Sequence, residues 1–383
     1  MSISNQAAIV GAALTNELGL IPDKPAIMLH AESAMNALED AGLSISDVDG
    51  ICTAGFAPYE IAEYMGFVPR FTDGTAVGGS SFVIHVGHAA MAIATGKAEV
   101  VLITHGESGR SRVGAPGRPM TPDSLRGQFE APWGLPQPVG AYGMAASRHM
   151  AKYGTTKEQL ANIAVAAWKW AQHNPRALYY GRGDITTQDV FDSPLIVWPF
   201  NRHDVCLVTD GGGSLVMTSA ERAKDLKQTP VLVKGAGESH DHAMISAMPD
   251  FTSFAAKVSG AEAMKMAGVT HDDLDLAMIY DSFTYTVLVS LESLGFCEPG
   301  EGGDFVSGGR IEPGGEFPMN TSGGGLAYTH PGMYGMFALI EGVQQLRREF
   351  EAPRQVEDIE LALVHGTGGL LSSAGTVILE RGA

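Results

Sequence analysis

Apolar positions along the chain fall into two kinds of run, and the two kinds alternate. Short apolar blocks at Ala7–Val10, Gly50–Cys52, Val100–Thr104, Leu276–Tyr280 and Leu361–His365 read as buried strands. Between them lie alanine-rich stretches of helical character at Glu32–Asp40 and Gly260–Met266, and longer ones running to Thr95 and to Arg348. In the last of these, Met336, Leu339, Ile340 and Val343 recur at helical period. Alternation of this kind with short connections predicts an α/β sheet with helices on both faces.

The order of elements occurs twice. Ala41-Gly42-Leu43-Ser44-Ile45-Ser46-Asp47-Val48-Asp49 matches Ala267-Gly268-Val269-Thr270-His271-Asp272-Asp273-Leu274-Asp275 in order and type. Each copy follows a helix and leads into an apolar strand, and each is followed by a glycine turn, a second helix and a second strand. The turns are Gly78-Gly79-Ser80-Ser81 and Gly323–Gly325. We therefore expect two duplicated halves, residues 1–225 and 226–383. The first is interrupted by an insertion over 106–200, rich in Pro and Gly to about 140 and amphipathic around Leu160–Trp170.

Composition narrows the class. Apolar residues make up 45% and charged residues only 18%, which argues against disorder or a coiled coil. The 48 glycines are scattered at element ends, as many tight junctions require. Three cysteines (Cys52, Cys206, Cys297) are too few and dispersed for a disulfide framework or a zinc motif, which points to a reducing, cytoplasmic setting. No basic, cleavable leader precedes Ala7, and no apolar run reaches membrane-spanning length. A formal net charge of −18 argues against a nucleic-acid partner. Between Arg110 and Arg182, however, ten Lys/Arg stand against three acids, a local excess suited to a small anionic ligand.

The candidate chemistry centres on Asn320 to Tyr334, N-T-S-G-G-G-L-A-Y-T-H-P-G-M-Y. Three glycines let the backbone pass close to another group. Pro331 suits a first helical position. On this reading His330 sits at the helix cap and Tyr334 about one turn in.

With these segments in place the chain resembles the thiolase superfamily, and within it the sterol-carrier-protein-type, or lipid-transfer, thiolases. Gly96-Lys97-Ala98-Glu99-Val100, Asp210-Gly211-Gly212-Gly213, Tyr280-Asp281-Ser282-Phe283, Asn320-Thr321-Ser322-Gly323-Gly324, Thr329-His330-Pro331-Gly332 and His365-Gly366-Thr367-Gly368-Gly369 look like the family's motifs, in the family's order. The resemblance implies a five-layered αβαβα fold, a homodimeric core, and coenzyme A thioesters bound beside the insertion, with no cofactor beyond the CoA of the substrate. Arg112 and Arg118 would meet the CoA phosphates, and Ser81, Asn320, Gly323, Gly324 and His365 would line the substrate site. One departure is decisive. Counting back from Ile93 and Gly96 places Gly79 where thiolases carry their nucleophilic cysteine, and the C-terminal turn offers His365 in place of the second one.

Three readings follow. Ser80 or Ser81 would act as acyl acceptor in an acyltransferase, but serine needs a positioned base, and His85 and His88 lie downstream on the same helix. Alternatively the chain is a lyase: some lipid-transfer thiolase relatives are aldolases of steroid side-chain catabolism that split a β-hydroxyacyl-CoA into a ketone and a shorter acyl-CoA. Their two catalytic tyrosines match Tyr285 and Tyr334, with His330 as enolate stabiliser. Such relatives often work with a separate OB-fold or zinc-ribbon protein, forming a heterotetramer. The third reading is a non-catalytic acyl-CoA or lipid carrier. The lyase reading gives His330 and both tyrosines a role, and we expect it. A tyrosinate base at pH 7 costs about 4 kcal/mol from a reference pKa near 10, and a helix N-terminus returns only about 0.3–2 kcal/mol.

The remaining candidates read as structural. His240-Asp241-His242 has no third metal ligand at a sensible spacing, so no metal is expected. His203-Asp204 precedes a predicted strand. Trp168 and Trp170 point to opposite sides of the insertion helix, so at most one meets a ligand.

Overall fold

The computed structural model describes residues 3–114 and 121–382. β1 (Ala7–Leu14), α1 (Ala26–Ala41), β2 (Gly50–Thr53), α2 (Pro58–Met65), β3 (Phe71–Asp73), α3 (Ser81–Ala94) and β4 (Val100–Ser108) open the first half. The insertion carries α4 (Leu125–Phe129), α5 (Val139–Tyr153), α6 (Lys157–Ala171), α7 (Thr187–Asp192) and a small hairpin of β5 (Leu195–Val197) and β6 (Phe200–Asn201). β7 (Asp210–Ser219) and the short α8 (Ala220–Ala223) complete that half. The second half runs β8 (Val231–His240), α9 (Ala256–Ala267), β9 (Leu276–Ile279), α10 (Thr284–Leu294), α11 (Gly302–Phe305), α12 (Gly335–Arg347), β10 (Leu361–Gly368) and β11 (Ser373–Arg381).

The strand order is β3-β2-β4-β7-β1-β8-β11-β10-β9. Outward from the β1–β8 seam the two sides are alike. β1–β7 and β7–β4 are antiparallel and β4–β2 and β2–β3 parallel. β8–β11 and β11–β10 are antiparallel and β10–β9 parallel, with a parallel bridge from Ala277 to Met319 standing in for the fifth strand. The seam itself holds only Ala8↔Leu232 and Ile9↔Val231. α3 packs on β8 and β11 as well as on its own half, and α12 packs on β1 and β7 as well as β9 and β10. Both helices are buried nearly all round, as a central layer demands. α1 and α9 cover the outer faces, giving five layers.

The repeated nine-residue motif builds the same device twice. Gly42 (φ 71°) and Gly268 (φ 69°) end α1 and α9 in the left-handed conformation that glycine adopts without strain. Asp47 and Asp273 then accept the backbone N–H of Ser44 (2.9 Å) and Thr270 (2.7 Å). Asp49 accepts from Glu99 and Val100 at the start of β4. Asp275 does the same for Glu360 and Leu361 at the start of β10. The echo in the sequence is thus a joint that ties each outer helix to an inner strand.

Candidate active site

Three turns meet at the N-terminal ends of the two central helices. Gly78–Ser81 leads into α3, Tyr280–Phe283 joins β9 to α10, and the long turn from Asn320 leads into α12. A Cβ on Gly335 would stand 2.1 Å from the carbonyl oxygen of Gly79, so the helix starts touch.

α12 begins at Gly335, and Tyr334 is its N-cap. This corrects the expectation that Pro331 opens the helix with Tyr334 a turn inside it. Gly332 has φ +71°, which a helix cannot contain. The Pro331 carbonyl accepts instead from His105 Nε2 and from the N–H of Met333, both at 2.8 Å. Upstream, Gly324–Tyr328 forms one π-helical turn.

His330 and Tyr334 do come together. Their rings are nearly parallel at 6.4 Å, and Tyr280 stands edge-on to both, at 5.7 and 5.8 Å. The Tyr280 hydroxyl lies 2.9 Å from His330 Nε2, and the Tyr334 hydroxyl lies 2.9 Å from Ser322 Oγ. Burial drives His330 down to about 4, so its imidazole is neutral at pH 7. Burial also pushes both phenols well above their ordinary range, and Asp281 pushes each further. Ser322 works the other way on Tyr334, and the backbone N–H of Tyr334 does so on Tyr280.

The glycine turn is occupied by a carboxylate of the chain itself. Asp281 accepts from the N–H of Gly325 (2.6 Å) and Leu326 (3.2 Å), and a Cβ on Gly324 would stand 2.0 Å from its Oδ2. A Cβ on Gly323 (φ +99°) would likewise stand 2.7 Å from the Cβ of Ala171 on α6. Burial raises Asp281 to about 7, against the two backbone donors. Asn320 is likewise engaged by backbone: its amide donates to the Ile279 carbonyl and accepts the Ile279 N–H, each at 2.8 Å. It clamps β9 at the entrance to Tyr280.

The other expected site residues are placed as follows. Tyr285 is buried at the start of α10, with its hydroxyl donating to the Phe251 carbonyl (2.7 Å) and its ring edge-on to His149. Ser81 Oγ donates to the Gly78 carbonyl (2.6 Å) and accepts from the Val77 N–H (2.9 Å), while Ser80 Oγ pairs with Ser373 Oγ (2.9 Å). His88 is held between Asp73 and Glu238, and His85 makes no hydrogen bond from either ring nitrogen. Neither histidine is paired with a serine of the turn. His365 lies between Thr376 Oγ1 (3.0 Å) and Thr367 Oγ1 (3.3 Å), and burial lowers it to about 3. Arg112 is exposed; Arg118 lies outside the described residues.

Around the site the basic stretch of the insertion is partly neutralised from the second half. Lys152 meets Asp250 and Lys169 meets Glu312. His242 is fixed by Asp241 and the Leu370 carbonyl. Among the described residues, no three His, Cys, Asp or Glu side chains are placed to share a metal ion. Trp168 and Trp170 spend their indole N–H groups on the Gly183 and Ile311 carbonyls.

Three participants escape a reading of the sequence: Tyr280, Asp281 and Ser322. All lie inside the motifs that carry the resemblance. The one available signal is Gly79. A Cβ there would stand 2.1 Å from Tyr280 Cε2 and 2.6 Å from Cζ, so the ring fills the space where a side chain at that position would begin.

Comparison with known proteins places the fold. Residues 237–381 match the family model described as thiolase C-terminal domain-like. The chain is 37% identical to the 17-hydroxy-3-oxo-4-pregnene-20-carboxyl-CoA lyase of Mycobacterium tuberculosis, over 96% of this chain and 97% of that one. It is 35% identical to the steroid side-chain-cleaving aldolase of Thermomonospora curvata, over 98% and 100%. The solved Ltp2-ChsH2(DUF35) aldolase superposes with a TM-score of 0.91 at 33% identity, covering 100% of this chain and 99% of that one. Human mitochondrial 3-ketoacyl-CoA thiolase in complex with CoA shares the fold, with a TM-score of 0.72 at 17% identity over the whole of both chains.

Proposed function

Since the chain belongs to the thiolase superfamily, among the lipid-transfer thiolase relatives that include steroid side-chain aldolases, we propose that it is a carbon–carbon lyase. It cleaves a branched β-hydroxyacyl-CoA, of a steroid or similar side chain, by retro-aldol chemistry. The observation that carries this reading is the filling of the Gly79 space by Tyr280, which leaves the helix start without a thiol to take an acyl group.

In the reaction a base removes the β-hydroxyl proton, the Cα–Cβ bond breaks, and a ketone departs. The electron pair passes into the thioester as an enolate. Tyr334 or Tyr285 serves as the base, and the other as an acid or orienting group. His330, neutral and beside Tyr334, stabilises the enolate oxygen. Burial makes a free tyrosinate at Tyr334 costlier than the about 4 kcal/mol of the exposed group. The hydrogen bond to Ser322 offsets part of this by spreading the charge. Tyr285 reaches the substrate by exchanging the Phe251 carbonyl for it.

CoA lies beside the insertion with Arg112 and Arg118 near its phosphates, and no other cofactor takes part. The chain acts in the cytoplasm as a homodimer, or as a heterotetramer with a separate OB-fold or zinc-ribbon chain. The solved Ltp2-ChsH2(DUF35) aldolase, whose name joins two proteins, supports a partner. Among the described residues no helix is long and apolar enough to cross a membrane.

Mass-spectrometric product analysis with a panel of β-hydroxyacyl-CoAs, with and without such a partner, tests the reading. A ketone and a shortened acyl-CoA should form without free CoA, and Tyr334→Phe and Tyr285→Phe should suppress them. Product only when free CoA is supplied would identify an acyltransferase, and binding without cleavage a carrier.

A further inference from the structure

We propose that a second cleft, lined by Arg176, Tyr328 and Phe350, binds a short-chain monocarboxylate and that its occupancy steadies the turn into α12. The site goes beyond the lyase reading and does not depend on it.

The cleft measures about 560 Å³ and lies between the end of β1, α1, the loop after α6 and the segment that follows α12. Its first notable feature is an unspent hydroxyl. Tyr328 closes the π-helical turn Gly324–Tyr328 and is only 4% exposed. Among the described residues its hydroxyl nevertheless has no hydrogen-bond partner, and the side chain lines the cleft. Burial pushes Tyr328 up to about 12, against Arg176 and Arg354 nearby, so it stays a donor. A buried O–H of this kind costs free energy until an acceptor meets it.

Charge selects the acceptor. Arg354 is paired with Glu341 (Nε 3.2 Å) and Asp40 with Arg347 (2.8 Å). Arg176 makes no ion pair among the described residues. One of its terminal nitrogens donates to the Thr15 and Asn16 carbonyls, and the other N–H groups are unspent. The cleft thus offers one unpaired guanidinium and one unspent phenol O–H, donors suited to a single carboxylate. Asp40 and Glu349 on its walls disfavour a doubly charged phosphate. Ala13, Leu14 and Phe350 supply apolar surface for a short hydrocarbon chain.

Asn174 connects the cleft to the turn that carries His330 and Tyr334. It is buried, and its amide nitrogen donates to the Ser322 carbonyl (2.9 Å). Its oxygen accepts from Arg354 Nη1 and from the Arg176 N–H, both at 3.1 Å. Ser322 Oγ in turn meets the Tyr334 hydroxyl. A carboxylate seated on Arg176 and Tyr328 therefore ties the Asn174 strut to the end of the π-helical turn. Fluctuations of residues 320–334 then fall on binding.

Isothermal titration calorimetry of the full chain with sodium butyrate tests the site, with sodium chloride at equal ionic strength as control. One butyrate should bind per chain, and about 10–100-fold more weakly to Tyr328→Phe and to Arg176→Gln. Tyr328→Phe keeps the ring against Phe337, so the packing is retained. Butyrate should also slow backbone hydrogen exchange in a peptide covering 320–334, and should not do so in Arg176→Gln. Heat no greater than that of chloride would overturn the proposal. Equal affinity in the parent and both variants would overturn it too, since butyrate would then sit elsewhere. Tighter binding of inorganic phosphate than of butyrate would refute the ligand class. Binding without slowed exchange would refute the link through Asn174. No readout here uses cleavage, so the lyase reading can fail without the site failing, and the reverse.

Discussion

The carboxylate of Asp281 and the α-carbon of Gly324 are in contact: a Cβ added to Gly324 would stand 2.0 Å from Oδ2. The glycine run exists to wrap this carboxylate, whose two oxygens meet the next two backbone N–H groups. Gly324→Ala should therefore be strongly destabilising. It adds left-handed strain of about 1–2 kcal/mol at φ +64° to a collision with a buried group. A urea midpoint no lower than expected from that strain alone would mean that the turn relaxes without cost.

Gly79 makes a second, separate prediction. Gly79→Ala drives a methyl group into the Tyr280 ring, and overpacking of this kind costs about 1–3 kcal/mol. Gly79→Cys should be no better tolerated and should not gain thiolysis with free CoA. Denaturation curves and a thiolysis assay check both statements. A stable, thiolytic Gly79→Cys protein would show that the ring yields easily.

Stability should fall in acid. His330 and His105 are held at about 4 and His365 at about 3, against 6.5 unfolded. The unfolded chain therefore binds more protons than the fold between those values, and stability is lost as pH drops from 6.5 toward 4. Asp281 has the opposite sign. Raised to about 7 from 3.8, it favours the protonated fold, and its contribution declines as pH rises through that window. Asp204, raised to about 6, acts in the same sense as Asp281, but His85 at about 4 and His30, also lowered by burial, join the other three histidines, so the urea midpoint at pH 4.5 should lie below that at pH 7. The reverse order would contradict the buried neutral histidines.

Glu341 offers a test of the support behind Tyr334. Its carboxylate on α12 receives Arg354 (Nε 3.2 Å) and the Thr321 hydroxyl (2.7 Å), and Thr321 precedes the Ser322 that holds Tyr334. Glu341→Gln leaves the Arg354 charge without its counterion. Breaking a buried pair costs about 3–5 kcal/mol, and the partial exposure of Arg354 puts the expected loss at the lower end. Thermal melting measures the loss, and cleavage should fall with it as Ser322 loosens.

Much of this molecule is legible in the chain alone. The strands at β1, β2, β4, β9 and β10, the helices beside them and the duplication follow from apolar runs and a nine-residue echo, because each is a local pattern; the missing cysteine follows from the resemblance to thiolases. What is not legible depends on partners far away in sequence. Pro331 has the pattern of a helix start, but its carbonyl is claimed by His105 on β4. Asn320 has the pattern of a substrate ligand, but its amide is spent on Ile279. Tyr280 reads as the end of an apolar strand, and only its meeting with Gly79 and His330 gives it another role. The basic excess of the insertion is a count along the chain, and Asp250 and Glu312 enter it only through space.

The seam between β1 and β8 is two residue pairs wide, yet α3 comes from one side of it and α12 from the other. Gly79 belongs to the first repeat; Tyr280, His330 and Tyr334 belong to the second. The cluster is thus complete only where the two halves meet: the first supplies the glycine and the second the ring that covers it, so neither half by itself holds both.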